Sequence, residues 1–251
     1  VDADLKNPKE SATDVIAAIK TDIIPKLKAK YPTISDQYEG QNRTAGKTTD
    51  SAGKVLIPIL FLIYAIIAFT FRSYSQPLLL LLLIPFSLVG VAWGHYIHDF
   101  PINILSFLGI IALIGILVND GLVLIGKFNS YLKEGMDFDT ALLEAGKSRF
   151  RAIFLTSATT VAGLAPLIAE ESRQAQFLIP MAISISYGIL MATFLTLLML
   201  PLMLSVGNSF KVYKTWLFTG TKPAKEPVER AIIELEVEKS DLKEELNEAF
   251  K

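Results

Sequence analysis

Long runs of apolar residues separated by short polar links fill residues 55–206 of the chain. A helix needs about 20 predominantly apolar residues to cross the hydrocarbon core of a bilayer. Five segments are read as spans: 55–71, 77–97, 102–128, 150–169 and 177–206. The first is slightly short, and the last is long enough to tilt or to extend past the membrane. Ahead of them the period changes. Residues 1–5 alternate as a strand does, Val15, Ile16, Ile19, Ile23 and Leu27 share one helical face, and residues 34–39 alternate again. This predicts a β-α-β fragment whose helix is kinked or interrupted at Pro25. Between the third and fourth spans, Phe138, Ala141, Leu142 and Ala145 recur at helical spacing behind Asp137, which predicts an amphipathic helix over 137–148 at the membrane interface. Beyond Thr221 nine acids outnumber four bases over residues 226–251, and Lys239 interrupts the apolar seam of Val228, Ile232, Leu235, Leu242 and Leu246. A solvated charged helix or frayed tail fits this better than a coiled coil. The fold class expected is an all-α polytopic membrane bundle of five transmembrane helices, with a small N-terminal α/β (β-α-β) fragment and a charged C-terminal helical tail. The corresponding divisions are 1–50, 51–209 and 210–251.

Composition agrees with this pattern: 51% of the 251 residues are apolar and the mean hydropathy is positive. Over residues 55–126 the only charged residues are Arg72, Asp99 and Asp120, and over 174–210 there are none. Arg72 follows the first span. Lys127, Lys133, Lys147, Arg149 and Arg151 lie around the third connection, and Lys211 and Lys214 follow the last span. The short links on the other side contain only Arg173, so the positive-inside rule places the C-terminus in the cytoplasm and the N-terminus outside it. Arg43, Lys47 and Lys54 argue the other way, but weigh less because they belong to a larger translocated domain. Cysteine is absent, so disulfides and thiolate metal sites are excluded. Position 1 is Val and no signal-peptide pattern follows it, so the expectation is a piece of a longer or processed chain. The β-α-β fragment is too small to bury a core alone and calls for further chain to complete it.

Asp120, in LVNDGLVLIGKF over residues 117–128, is the candidate for chemistry. A carboxylate inside a span is costly and marks a functional hypothesis. It lies two turns from Lys127, about 10 Å along the axis, a little to the cytoplasmic side of the midplane. A helical wheel collects Gly109, Ala112, Gly115, Asn119, Asp120 and Gly126 on one face. Ile110, Leu113, Ile114, Leu117, Leu124 and Ile125 cover the other. Small residues allow close helix approach, so the first face is expected inside a bundle and the bulky one toward lipid or looser packing. On the fourth span, Arg149, Thr156, Thr160 and Gly163 share a stripe. The plain alternatives are that the threonines bond their own backbone, that Arg149 anchors the interface, and that Asp120 only locks packing. His95 and His98 lack a clear third ligand besides Asp99 and are read as surface residues. No metal and no cofactor are expected, and Pro85 and Pro180 are read as tolerated kinks.

Three stretches carry a resemblance to a known family: FRSYSQPLLLLLLIPFSLVG at 71–90, GILVNDGLVLI at 115–125, and the run from Glu144 through RFRAIFLTSATTVAGLAPL to Leu167. Up to about Ser209 the chain resembles the C-terminal half of a resistance-nodulation-division (RND) efflux permease of the hydrophobe/amphiphile, acriflavin-resistance-like type. That resemblance implies the last segment of a periplasmic porter region followed by transmembrane helices eight to twelve. It also implies a proton-driven antiporter of the bacterial inner membrane acting in multidrug efflux. The partners implied are the N-terminal half of the permease, two further copies in a homotrimer, a periplasmic adaptor, an outer-membrane channel and the lipid bilayer, without nucleic acid. In the drug exporters the tenth helix carries a Lys that pairs with two Asp residues on the fourth, while the eleventh adds a Thr and an Arg. Thr156 and Arg149 match those last two positions. Asn119 falls at the Lys position and Asp120 beside it, which departs from the drug-exporter pattern.

Two other functional readings stand beside the exporter: an RND-related accessory of protein translocation, and a structural half-bundle without proton chemistry of its own. An intramembrane protease is disfavoured. Only one aspartate lies within the spans, and both histidines lie at an outer end.

Overall fold

The computed structural model describes residues 12–33 and 41–249. Both strands expected at the N-terminus lie outside the described residues. The helix expected between them is present as α1 (Ala12–Ala18), a π turn (Ile19–Ile23) and α2 (Ile24–Lys30). Pro25 sits in the first turn of α2, and the Ile24 N–H reaches back five residues to the Ile19 carbonyl. A widened turn beside a ring that cannot donate is the local response to that proline.

Five long apolar helical segments follow: α3 (Gln41–Phe71), α4 (Ser75–His98), α5 (Ile104–Lys133), α6 (Phe138–Ile168), and α7 (Arg173–Phe194) continued through a second π turn (Leu195–Met199) into α8 (Leu200–Thr219). Among the described residues four of these are long and apolar enough to cross a membrane. The apolar part of α3 among the described residues, Ile57–Phe71, is shorter, in line with the first span being read as slightly short. The amphipathic segment at 137–148 is not a separate helix. It joins the span after it in α6, a rod about 46 Å long. The helix runs on through Gly146 at the junction, and no proline interrupts residues 138–165. Asp137 caps the start, accepting the Thr140 N–H at 3.1 Å, and that bond holds its carboxyl below the usual carboxylate range. Asn103 and Ser106 form a reciprocal capping box at the start of α5.

Helix α7 is central and packs against α4, α5 and α6. In lipid, helices associate through close van der Waals contact, and small residues permit it. A Cβ on Gly90 would lie 2.5 Å from the Tyr187 carbonyl oxygen, and one on Gly94 would run into the Tyr187 side chain. Gly109 meets the Met181 backbone and Ser184, while Gly188 receives Leu113. Leu80, Leu83, Leu113, Leu124, Ile125 and Phe128 are fully buried in the resulting core.

The links after α3 and after α5 and the end of α8 lie at one end of the bundle, where the C-terminal segment gathers them. Glu226 accepts the Phe138 N–H at the start of α6, and Lys225 pairs with Asp139. Glu229, 3% exposed, accepts from Asn208 and pairs with Lys211 on α8. Glu234, on α9 (Arg230–Ala249), bridges Arg72 at 3.0 Å and Lys133 at 3.1 Å, and Arg230 Nε donates to the Arg72 carbonyl. The first part of the tail is therefore docked as a clasp rather than solvated, because its acids meet the basic links of that end. The exposed Val237 and Leu242 lie beyond it.

Candidate functional site

Asp120 is 9% exposed and lies on α5 among the buried Leu117, Val118, Gly121 and Leu124. A Cβ on Gly121 would fall 2.1 Å from Leu80 Cδ2, so α4 approaches closely beside the carboxylate. Asn119, Ala112 and Gly115 are exposed, however, and nothing lies within 4 Å of a Cβ placed on Gly115. Within this chain the bulky face, with Leu113, Ile114, Leu117, Leu124 and Ile125, forms the core, and of the small face Gly109 and Asp120 are buried with it. Of the expected packing residues Gly109 does pack, whereas Ala112, Gly115 and Gly163 do not. Helices α4 and α7 offer grooves for large side chains, so the small, polar edge of α5 is left without a cover among the described residues.

On α6, Thr156 Oγ1 donates to the Ala152 carbonyl at 3.0 Å and Thr160 Oγ1 to the Thr156 carbonyl at 2.8 Å. Both hydroxyls are thus satisfied on their own helix. Arg149 is half-buried, and its Nε is buried without a hydrogen-bond partner. Among the described residues no hydrogen bond or ion pair joins Asp120 to Thr156, Thr160 or Arg149. The chain presents two partial sites, a buried acceptor on α5 and an unsatisfied donor on α6, without closing them into one cluster.

Several polar contacts between helices have no counterpart in the sequence reading. His95 is 4% exposed, not a surface residue; its ring nitrogens contact Ser184 Oγ on α7 at 2.9 Å and the Phe100 carbonyl at 3.0 Å. His98 meets the Tyr187 hydroxyl at 3.0 Å. Gln76 and Asn129 exchange reciprocal amide bonds between α4 and α5 at 3.0 and 3.1 Å. Ser157 and Thr193 pair between α6 and α7. The available signal was position: each lies on a face shared with large apolar residues that turn out to be core. Among the described residues no group of three or more His, Asp or Glu is placed to hold a metal.

Residues 5–206 match the model of the AcrB/AcrD/AcrF family. Swarming motility protein SwrC of Bacillus subtilis (strain 168) is 27% identical over 208 residues, 82% of this chain and 20% of its own length. Cobalt-zinc-cadmium resistance protein CzcA of Cupriavidus metallidurans is 31% identical over 156 residues, 62% of this chain and 15% of its own length. Multidrug resistance protein MdtC of Proteus mirabilis is 26% identical over 68% of this chain and 17% of its own length. A crystal structure of a heavy metal efflux pump shares the fold with a TM-score of 0.60 at 21% identity, covering 72% of this chain and 19% of that one. The chain thus spans about a fifth of the length of these relatives or less. With the match covering most of its residues and nearly all of its membrane-grade helices, the chain belongs to the AcrB/AcrD/AcrF family of RND transporters.

Proposed function

We propose that this chain forms the C-terminal membrane half of a proton-driven RND export permease, with Asp120 in the proton pathway. The observation that carries the reading is a buried carboxylate at the edge of an uncovered face formed by Ala112, Gly115 and Asn119. A second half-bundle seated there would complete the surroundings of Asp120. A carboxyl group whose surroundings alternate between dry and wet can take and release a proton. Each charge crossing the potential supplies about 2.3 kcal/mol per 100 mV, which is the energy source for export. Arg149, with its unsatisfied Nε, and Thr156 stand on the neighbouring helix to adjust that site as the bundle moves. The permease lies in the bacterial inner membrane with its C-terminus in the cytoplasm. It assembles as a homotrimer with a periplasmic adaptor and an outer-membrane channel.

The cargo we assign is a small amphiphile, as the acriflavin-resistance-like motifs suggest. A second reading, divalent metal cations, is favoured by the 31% identity to a protein named for cobalt, zinc and cadmium resistance. Both are tested with the full-length permease in proteoliposomes, measuring proton counterflow driven by an amphiphilic dye or by Zn²⁺. Asp120→Asn is expected to abolish counterflow with either cargo while assembly persists, and Thr156→Ala to reduce it less. Normal counterflow in Asp120→Asn removes Asp120 from the mechanism. A protein-secretion defect with unchanged efflux replaces the exporter by a translocation accessory.

A further inference from the structure

The end of the bundle opposite the clasp carries a polar joint that has no part in the pathway through Asp120. His95, on the last turn of α4, is buried, and Gly94 beside it lets α4 lie directly against the Tyr187 side chain of α7. The imidazole tethers two elements at once. Nδ1 stands 3.0 Å from the Phe100 carbonyl in the α4–α5 link, and Nε2 stands 2.9 Å from Ser184 Oγ on α7. Ser184 is itself fully buried, with Gly109 of α5 packed against its Cβ. Nearby, His98 Nε2 meets the Tyr187 hydroxyl at 3.0 Å, the two rings lying edge to face.

These partners fix the tautomer. The Phe100 carbonyl can only accept, so Nδ1 carries the proton; in the neutral ring Nε2 is then an acceptor and takes the Ser184 hydroxyl. That hydroxyl has an alternative acceptor, the Pro180 carbonyl at 3.0 Å. A second proton, on Nε2, turns the ring acceptor into a donor, sends the Ser184 hydroxyl to Pro180 and places a cation in a nearly closed site. Burying a charge is costly unless a counter-charge accompanies it. Among the described residues no carboxylate pairs with His95. On its own helix and the link the titratable neighbours are Tyr96, His98 and the exposed Asp99, while α7 presents Tyr187. Helices α5 and α6 have no titratable residue over 104–119 and 152–168, and Glu170, Glu171 and Arg173 come about two turns or more before Pro180 in the chain. The joint is closed around a neutral imidazole, and a protonated one is accommodated only when water reaches it.

We propose that His95 is an acid-released latch: while neutral it ties α4 and the α4–α5 link to α7, and proton uptake on Nε2 frees that end of the bundle. Imidazole suits the task because its charge ordinarily changes between about pH 5 and pH 8. His98 is less enclosed and holds a single hydroxyl, which can still accept when the ring is protonated. Under the orientation proposed above, the latch faces away from the cytoplasm. It neither uses the carboxyl of Asp120 nor depends on which cargo the permease carries.

The test uses the full-length permease in lipid nanodiscs. Amide hydrogen exchange over residues 99–106 and 180–187 is measured at about pH 7.5 and about pH 5.5 and corrected for the intrinsic exchange rate. In the unmodified protein, protection is expected to fall about tenfold at the lower pH. Protection that is equal at the two values, or greater at the lower one, overturns the proposal whether or not the variants fold. His95→Gln keeps a neutral group that both donates and accepts, so protection should stay high at both values; a persisting pH difference in this variant overturns the proposal as well. Ser184→Ala removes the tie to α7, so protection should be low at both values, and an undiminished pH difference there has the same force. His98→Gln should keep the difference, and its loss would place the switch at His98 instead. Because exchange is read without transport, a failed proton mechanism leaves this result intact, and the converse also holds.

Discussion

Gly90 has no room for a side chain, because the Tyr187 carbonyl of α7 occupies the space a Cβ would take. That obstacle is backbone and cannot rotate aside. Gly90→Ala is therefore expected to destabilise the bundle by about 1–3 kcal/mol, the usual cost of overpacking, measurable as a lowered unfolding midpoint in detergent. An unchanged midpoint would mean that α4 and α7 separate easily at this point. Gly115→Ala, where a Cβ meets open space, is the matched control. The contrast also explains where residue-level reading failed. Glycine on a wheel identifies a face that can pack, but Gly109 and Gly115 share that face and only one has a neighbour. Likewise the place of His95 near a helix end suggests exposure, because nothing in the sequence indicates that Ser184, 89 positions away, lies opposite it.

At the scale of elements, the apolar runs were legible as helices because their length and lack of charge leave few alternatives in lipid. Their ends were less so. Helix α6 starts twelve residues before its predicted span, because no proline separates the amphipathic segment from the span and the helix runs on through Gly146. The tail's docking is hidden for a related reason. Its apolar seam carries the helical pattern, while the contacts that dock it are the polar and ionic ones of Glu226, Glu229 and Glu234. Glu229 carries most of that docking, since it is buried and serves both Asn208 and Lys211. Removing one member of a buried pair leaves the other uncompensated, at a cost of about 3 kcal/mol. In Glu229→Ala, amide hydrogen exchange over residues 222–234 should rise markedly while α4, α5 and α7 stay protected. Unaltered exchange in that segment would show that the exposed bridges of Glu234 suffice.

Across the whole molecule, the candidate site was legible as a set of residue types and not as an assembled centre. Asp120 stands out as a candidate because a charge in an apolar run is conspicuous, and it is buried. Its relation to Thr156 and Arg149 depends on what covers the small edge of α5, and no local pattern encodes that. One feature does tie distant parts together. The π turn Leu195–Met199 absorbs one residue beyond the α-helical repeat, just ahead of Pro201, and the Leu200 N–H bonds to the Leu195 carbonyl. Each residue added to or taken from a helix turns everything after it by about 100°. The bulge thus fixes the azimuth at which α8 presents Asn208 and Lys211, and with it the docking of the clasp. Deleting Leu197 together with Pro201→Ala should restore regular α-helix and leave that azimuth unchanged, so residues 222–234 remain protected from exchange. Deleting Ser205 instead should swing Asn208 away from Glu229 and release the tail, so that one lost residue is silent at the bulge and disruptive two turns later.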